Sequence, residues 1–297
     1  MKHFPCLTIT FATAAVSLLV LFAFSIRALA QPDPAHQGPH GTPTSDKAAV
    51  AELPAMHQHA SVETQALPGT LEKDWPAPIE DSQRFAYLLV DQLEYRMKHD
   101  AIDTARWDVQ GWYGGDYHRL WMKTEGEWRT GGERGGEAEV QALYSRLLAP
   151  FWDFQVGLRY DQFSGTGFDR SRGFAVIGLQ GLAPYRFEVE PALFISDDGD
   201  VSARLTATYE VLLTQRLILQ PRLDFDAAVQ AAEKFNVGDG VNSLGLGVRL
   251  RYEFRREFAP YVGVHWLSRF GETADIARRG GERVDDLAVV FGVRLWF

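Results

Sequence analysis

The most regular feature of the chain is an alternation of apolar with polar or small side chains. In residues 244–254 one face carries Leu, Val, Tyr and Phe, and the other carries Gly, Arg and Glu. Residues 185–195 and 201–211 divide in the same way. Because successive strand residues point to opposite sides of a sheet, such segments predict transmembrane barrel strands, with one face toward lipid and the other toward a polar lumen.

A soluble β-sandwich also alternates, but it buries its apolar face against a second sheet. Here Arg and Glu recur on the polar faces. Aromatic residues (Trp, Tyr and Phe) lie at the ends of the apolar faces, which is typical of a barrel in a membrane.

The links between the segments support the same fold, because outer-membrane barrels alternate short periplasmic turns with longer external loops. The short links are expected at 114–116, 149–151, 182–184, 213–216 and 255–257. The longer or glycine-rich links are expected at 98–104, 130–136, 163–172, 196–200, 228–243 and 268–286. The sequence therefore predicts an all-β fold, an antiparallel transmembrane β-barrel of about 12 strands.

The final predicted strand, 287–297, ends on Leu295-Trp296-Phe297. These residues fit an interfacial aromatic girdle, and they resemble the C-terminal signature of barrels assembled into the outer membrane.

Two segments precede the predicted barrel at 83–297. Residues 1–30 read as a signal peptide, with Lys2, an apolar run at 7–24 and an A-x-A site at Ala28-Leu29-Ala30. An uncleaved anchor is the alternative, since the apolar run approaches spanning length. Residues 31–82 are rich in Pro, Gly, Ala, Gln and acidic side chains, so we expect a disordered arm in the periplasm.

Composition excludes several classes of protein. Cys6 is the single cysteine and lies in the predicted signal peptide, so the mature chain would have no disulfide, thiolate metal site or cysteine nucleophile. A mean hydropathy of -0.18 with 23% charged residues is too polar for a helical membrane bundle. The net charge of -9 argues against nucleic acid as a partner.

Several ordered stretches resemble the copper resistance protein B family. They are Leu88-Leu89-Val90-Asp91-Gln92-Leu93-Glu94, Trp107-Asp108-Val109-Gln110-Gly111-Trp112-Tyr113-Gly114-Gly115-Asp116-Tyr117, Lys123-Thr124-Glu125-Gly126, Gln155-Val156-Gly157-Leu158-Arg159-Tyr160-Asp161, Gly178-Leu179-Gln180-Gly181-Leu182-Ala183-Pro184-Tyr185, 209–222 and 250–264. Together they cover most of the chain from about Ser82 to Phe297.

The resemblance implies an outer-membrane protein of copper resistance or homeostasis in a Gram-negative bacterium, and we expect no enzymatic activity. It would contact outer-membrane lipid, bind copper ions or move them across the membrane, and work with a periplasmic multicopper oxidase. The chain departs from the family pattern in its arm, where His and Met are scattered rather than densely repeated.

With no cysteine available, copper held by this protein would rely on imidazole and thioether donors. The arm offers His36, His40, Met56, His57 and His59, of which Met56-His57-Gln58-His59 is the best local cluster. In the barrel, strand parity places His265 inward, and places His118 and Met122 outward. The alternatives are a solvated linker in which the histidines are incidental, and a hydrogen-bonded lumen histidine.

Charges of both signs are expected inside the barrel, where they must pair or stay hydrated. They are Arg106, Asp108, Arg119, Lys123, Glu125, Arg159, Asp161, Arg186, Glu188, Arg204, Arg222, Asp224, Arg249 and Arg294. Such a set predicts either a cross-linked plug or a narrow wet channel.

Two other functions stay open. One is a general small-solute channel or structural barrel with no metal role, and the other is a hydrolase that pairs His265 with Ser268.

Overall fold

A computed structural model describes residues 83–99, 101–131, 135–165, 168–184 and 186–297. This part of the chain is almost entirely antiparallel sheet. The strands are β1 (Phe85–Lys98), β2 (Thr104–Gly114), β3 (His118–Arg129), β4 (Gly136–Ala149), β5 (Trp152–Gly165), β6 (Phe168–Ala183), β7 (Phe187–Ser196), β8 (Val201–Tyr209), β9 (Val211–Leu212), β10 (Leu217–Ala228), β11 (Gly240–Tyr252), β12 (Phe258–Arg269) and β13 (Asp285–Trp296).

These segments close into a barrel of twelve strands. β8 and β9 are two parts of one barrel strand, because both pair with β10 in one continuous register on either side of Glu210. Every strand pairs with its neighbour, and β13 returns to β1 with Leu89 opposite Trp296 and Lys98 opposite Ala288. The predicted fold class is confirmed.

The two faces of the sheet differ as the alternation predicted. On β11 the side chains of Leu246, Val248 and Leu250 are exposed on the outer surface. Arg249 and Arg251 point inward and are buried, with 3% and 1% of their surface exposed. An apolar outer surface and a charged interior suit a barrel that lies in lipid.

The links differ at the two ends of the barrel. The end that holds Phe85 and Trp296 has short turns at 115–117, 150–151, 184–186, 213–216 and 253–257. The opposite end has the longer links at 229–239 and 270–284, together with 99–103, 130–135 and 197–200. The stretch 163–172 was predicted as one of the longer or glycine-rich links, and this is wrong, since β5 continues to Gly165 and β6 begins at Phe168.

The two longest links contact each other at their end of the barrel. A short helix, α1 (Gly271–Arg279), buries Thr273, Ala274, Ile276 and Ala277. A 3-10 turn at Glu233–Phe235 lies in the other link. The two links are joined where the Thr273 hydroxyl accepts hydrogen bonds from the backbone N–H of Gly238 at 2.9 Å and from the Asn242 side chain at 2.8 Å. Among the described residues, no helix is long and apolar enough to cross a membrane.

Candidate functional site in the barrel lumen

A β-bulge in β1 sets the start of the polar lumen. The register shifts between Val90 and Gln92, so that the extra residue, Asp91, breaks the alternation of the strand. Asp91 lines the central cavity, and Gln92 is 1% exposed inside the barrel. Beyond the bulge Glu94 and Arg96 point inward, while Leu93 and Tyr95 are exposed outside. The bulge thus directs two consecutive polar side chains, Asp91 and Gln92, into the lumen.

Glu94 is the centre of a buried cluster that includes β11 and β12. Its carboxylate accepts hydrogen bonds from Arg96 at 2.7 Å, from Arg249 at 3.0 Å and from the Tyr261 hydroxyl at 3.0 Å. The Glu94 side chain is fully buried. Tyr261 lies against Gly292, where an added Cβ would be 2.5 Å from the phenol ring. Glycine at 292 therefore makes room for the tyrosine that donates to Glu94.

A second cluster runs across the lumen from β8 to β3 and β4. Arg204 forms ion pairs with Glu125, with Glu139 at 3.2 Å and with Asp226 at 3.1 Å. The same carboxylates have other partners, because Arg106 reaches Glu125 at 2.9 Å and Arg159 reaches Glu139 at 2.7 Å. Since β8 faces β3 and β4 across the barrel, Arg204 ties opposite walls together.

A third cluster ties β10 to the first two strands. Arg222 lies 3.2 Å from Asp108 and 3.5 Å from Asp91, and Asp91 also accepts from Arg294 at 2.9 Å. Closer to the end with the short turns, Lys123 pairs with Glu190 at 2.9 Å. Many of the charges that the sequence placed inside the barrel are thus held in ion pairs, and those of Arg204, Arg222 and Lys123 cross the lumen.

One wall of the lumen is apolar instead of charged. Trp121, Leu143, Val176 and Phe194 form a buried cluster on the inner side of strands β3 to β7. Arg159 borders it, with its guanidinium 4.5 Å from the centre of the Phe194 ring. The lumen therefore has two different sides, one apolar and one charged.

Between these sides lies a cavity of about 430 Å³. It extends from the level of Glu125 and Arg204 to Leu182 and Arg186 at the short-turn end. Among its lining groups are seven carboxylates and five basic side chains. The carboxylates are those of Asp91, Asp108, Glu125, Glu139, Glu188, Glu190 and Glu210, and the basic groups are those of Lys123, Arg186, Arg204, Arg222 and Arg294.

Two charged groups at the mouth of this cavity lack an ion pair with any described residue. Glu188 accepts one hydrogen bond from the Gln180 amide at 3.3 Å and has no basic partner within 4.0 Å. The Arg186 side chain lines the cavity without a carboxylate partner in the described strands and turns, and its backbone has a φ of 66°. A non-glycine residue in this left-handed region is uncommon and carries a conformational cost.

His265 lies inside the barrel, as strand parity predicted, and is 7% exposed. Its imidazole packs against Gly245 and Gly247 of β11. Arg96, Arg106 and Arg249 are the nearby cations and Asp224 is the nearby anion. The described residues contain no group of three or more His, Cys, Asp or Glu side chains arranged to hold a metal ion. His265 therefore stands in the structure as a single imidazole in the lumen.

The other candidate donors lie elsewhere. His118 is outside the barrel, stacked on Tyr144, with 2.6 Å between its Nδ1 and the phenol oxygen. Met122 packs beside Leu88 and Val109, away from the lumen. His36, His40, Met56, His57 and His59 lie outside the described residues, as do the predicted signal peptide and arm. Ser268 donates to Asp285 at 2.6 Å, and within the described strands no hydrogen bond joins it to His265.

Sequence reasoning missed several members of the lumen network, among them Glu94, Arg96, Glu127 and Glu139. The first two follow the bulge in β1, where counting alternate positions from the start of the strand fails. The signal in the sequence was the set of alternating large side chains Leu93, Tyr95 and Met97, which lie on the outer face and so place Glu94 and Arg96 inside.

A closed antiparallel barrel with an apolar outer surface and a lumen of paired charges defines an outer-membrane β-barrel protein. The family model described as copper resistance protein B precursor (CopB) matches residues 84–297. The chain belongs to the copper resistance protein B family.

Two relatives give the same result. Copper resistance protein B of Escherichia coli is 42% identical over 219 residues, which cover 74% of this chain and 72% of that protein. The copper resistance protein B homolog of Pseudomonas syringae pv. tomato (strain ATCC BAA-871 / DC3000) has the same identity and coverage. Membership of this family and the barrel fold place the protein in the outer membrane, with a role in copper resistance.

Solved structures that share the barrel outline include the NanC porin, with a TM-score of 0.48 and 14% identity over 70% of this chain and 98% of that chain. The KdgM porin has a TM-score of 0.44 and 12% identity over 72% of this chain and 99% of that chain. Outer membrane phospholipase A from Escherichia coli has a TM-score of 0.45 and 15% identity over 71% of this chain and 92% of that chain.

Proposed function

We propose that this protein contributes to copper resistance by binding copper ions or moving them across the outer membrane, without catalysing a reaction. The observation that carries the proposal is the family match over 84–297. The lumen supports it, because charged side chains line the barrel interior from Asp286 and Lys98 at the long-loop end to Arg186 at the short-turn end. Outer-membrane lipid surrounds the barrel, and a periplasmic multicopper oxidase is the proposed partner.

We propose that copper first meets the protein at the arm. His36, His40, Met56, His57 and His59 provide imidazole and thioether donors, and Met56, His57 and His59 are close enough along the sequence to bind one ion together. His265 is the proposed donor in the lumen, where the neutral imidazole would bind the ion and Asp224 would offset the nearby positive charge.

Survival of cells in copper tests the role in resistance. A strain without the gene should lose copper tolerance, and the restored gene should return it. If tolerance stayed unchanged while permeability to small solutes changed, the general channel or structural barrel without a metal role would be the better function.

The number of copper ions bound per chain, measured on the purified full-length protein, tests whether the arm binds copper. The combined change Met56→Ala, His57→Ala and His59→Ala should lower the number of copper ions bound per chain. The matched control, Gln58→Ala with Gln65→Ala, alters the same segment without removing a soft donor and should leave the number unchanged. An identical stoichiometry in both variants would refute copper binding by Met56-His57-Gln58-His59. The separate change His265→Gln measures how much copper the lumen histidine binds.

A further inference from the structure

The cavity has features that a passage for bare ions does not need. Its volume of about 430 Å³ falls in the range of small-molecule sites, which is about 300–1,000 Å³. Leu143, Val176 and Phe194 give it an apolar side, which offers nothing to a metal ion. The described residues around it also lack a convergent metal-ligand set. Size and lining therefore fit an organic molecule with both apolar and charged parts.

The unpaired charges at the mouth indicate what the charged parts are. Arg186 lies in the β6–β7 turn and Glu188 near the start of β7, two residues apart, and both line the cavity. They nevertheless form no ion pair with each other, and neither has an opposite charge within 4.0 Å among the described residues. The other cavity cations, Lys123, Arg204, Arg222 and Arg294, are each paired.

Arg186 is exposed at the turn where the cavity opens. Its φ of 66° places a non-glycine residue in the left-handed region at the β6–β7 turn. The left-handed region is a usual place for the last residue of a three-residue hairpin link, so this conformation shapes the turn that carries Arg186. Here it accompanies a guanidinium that lines the cavity without a carboxylate partner.

We propose that the cavity binds a small zwitterion of amino-acid size that enters from the short-turn end. Its carboxylate binds the Arg186 guanidinium, which presents parallel N–H donors to a carboxylate. Its ammonium group binds Glu188, and its apolar side chain packs toward Leu143, Val176 and Phe194. This site goes beyond the copper role and does not depend on it.

Equilibrium dialysis of the full-length protein in detergent, in metal-free buffer, tests the proposal with three probes. L-leucine carries both charges, 4-methylpentanoate lacks the ammonium group, and 3-methylbutylamine lacks the carboxylate. We expect leucine to bind at least about tenfold more tightly than either of the others, the equivalent of about 1.4 kcal/mol. Equal affinity for the three probes, or no saturable binding of leucine, would overturn the proposal.

Substitutions assign the two charges to their residues. Arg186→Asn should lower leucine affinity to that of 3-methylbutylamine and leave the amine unaffected, and asparagine tolerates the left-handed backbone. Glu188→Gln should lower leucine affinity to that of 4-methylpentanoate. Arg216→Asn, at another turn of the same end and outside the cavity lining, is the matched control and should bind leucine normally.

The folding of each variant is checked by heat-modifiable electrophoretic mobility, which compares heated with unheated protein. If Arg186→Asn does not fold, Arg186→Lys, which keeps the charge, should retain leucine binding while Glu188→Gln loses it. Unchanged leucine affinity in folded Arg186→Asn or Glu188→Gln would refute the site, even if the copper experiments succeed.

Discussion

Glu94 shows how much one residue depends on the barrel being closed. Its three donors, Arg96, Arg249 and Tyr261, come from β1, β11 and β12, and two of them are more than 150 positions away in the chain. Buried charges of this kind are costly unless every group has a partner. The cluster therefore forms only when barrel closure brings β1 to β11 and β12.

Glu94→Gln tests this dependence. The change removes the negative charge that Arg96 and Arg249 share, so we expect the free energy of unfolding to fall by about 3–5 kcal/mol. Urea unfolding in lipid vesicles measures it. Glu257→Gln, at an exposed turn, is the control and should change stability by no more than about 0.5 kcal/mol. Equal stability of the two variants would contradict the central role of Glu94.

At the scale of elements, α1 is held by its contacts with neighbouring segments. A helix of nine residues is too short to be stable alone. It packs beside β11, and its buried Thr273 accepts from the link 229–239 and from Asn242. The alternation of apolar and polar residues predicted the strands, but 268–286 was predicted only as a link because the helix owes its stability to these tertiary contacts.

Thr273→Val tests the joining of the two long links. Valine has a similar shape but removes the acceptor of the Gly238 N–H and one of the two acceptors of the Asn242 amide, a loss of about 1–3 kcal/mol. We expect proteases added to intact cells to cleave 229–239 and 270–284 faster. Asp275→Asn changes an exposed ion pair of the same helix and should leave the cleavage rate nearly unchanged. Similar rates for both variants would show that Thr273 does not hold the links.

At the scale of the whole molecule, cross-lumen ion pairs decide between the two interiors that the sequence allowed. Arg204 joins β8 to β3 and β4, Arg222 joins β10 to β1 and β2, and Lys123 joins β3 to β7. Twelve strands lie between filled eight-stranded barrels and open porins of about sixteen. The pairs favour a cross-linked interior, with a cavity that opens at the short-turn end, over a continuous wide channel.

Arg204→Ala tests whether the cross-lumen ion pairs restrict passage through the barrel. Glu125 and Glu139 keep Arg106 and Arg159 as partners, so the barrel should still fold. With the bridge between opposite walls removed, single-channel conductance in planar bilayers should rise above that of the unchanged protein. The control, Arg278→Ala, alters an exposed arginine of α1 and should conduct as the unchanged protein does. A conductance that is already high before the change, or is unaffected by it, would argue for an open channel.

The amino-acid sequence by itself determined the barrel, the faces of its strands and the inward position of His265. Those properties follow from a two-residue period and from the different solvents on the two sides of the sheet, both of which are local. Only the tertiary structure decided which charges meet, because Arg249 reaches Glu94, and Arg204 reaches Glu125, through strand pairing and closure. It also decided that Arg186 and Glu188 are left unpaired, since the partners available to a charge depend on the opposite wall and not on its neighbours in the chain.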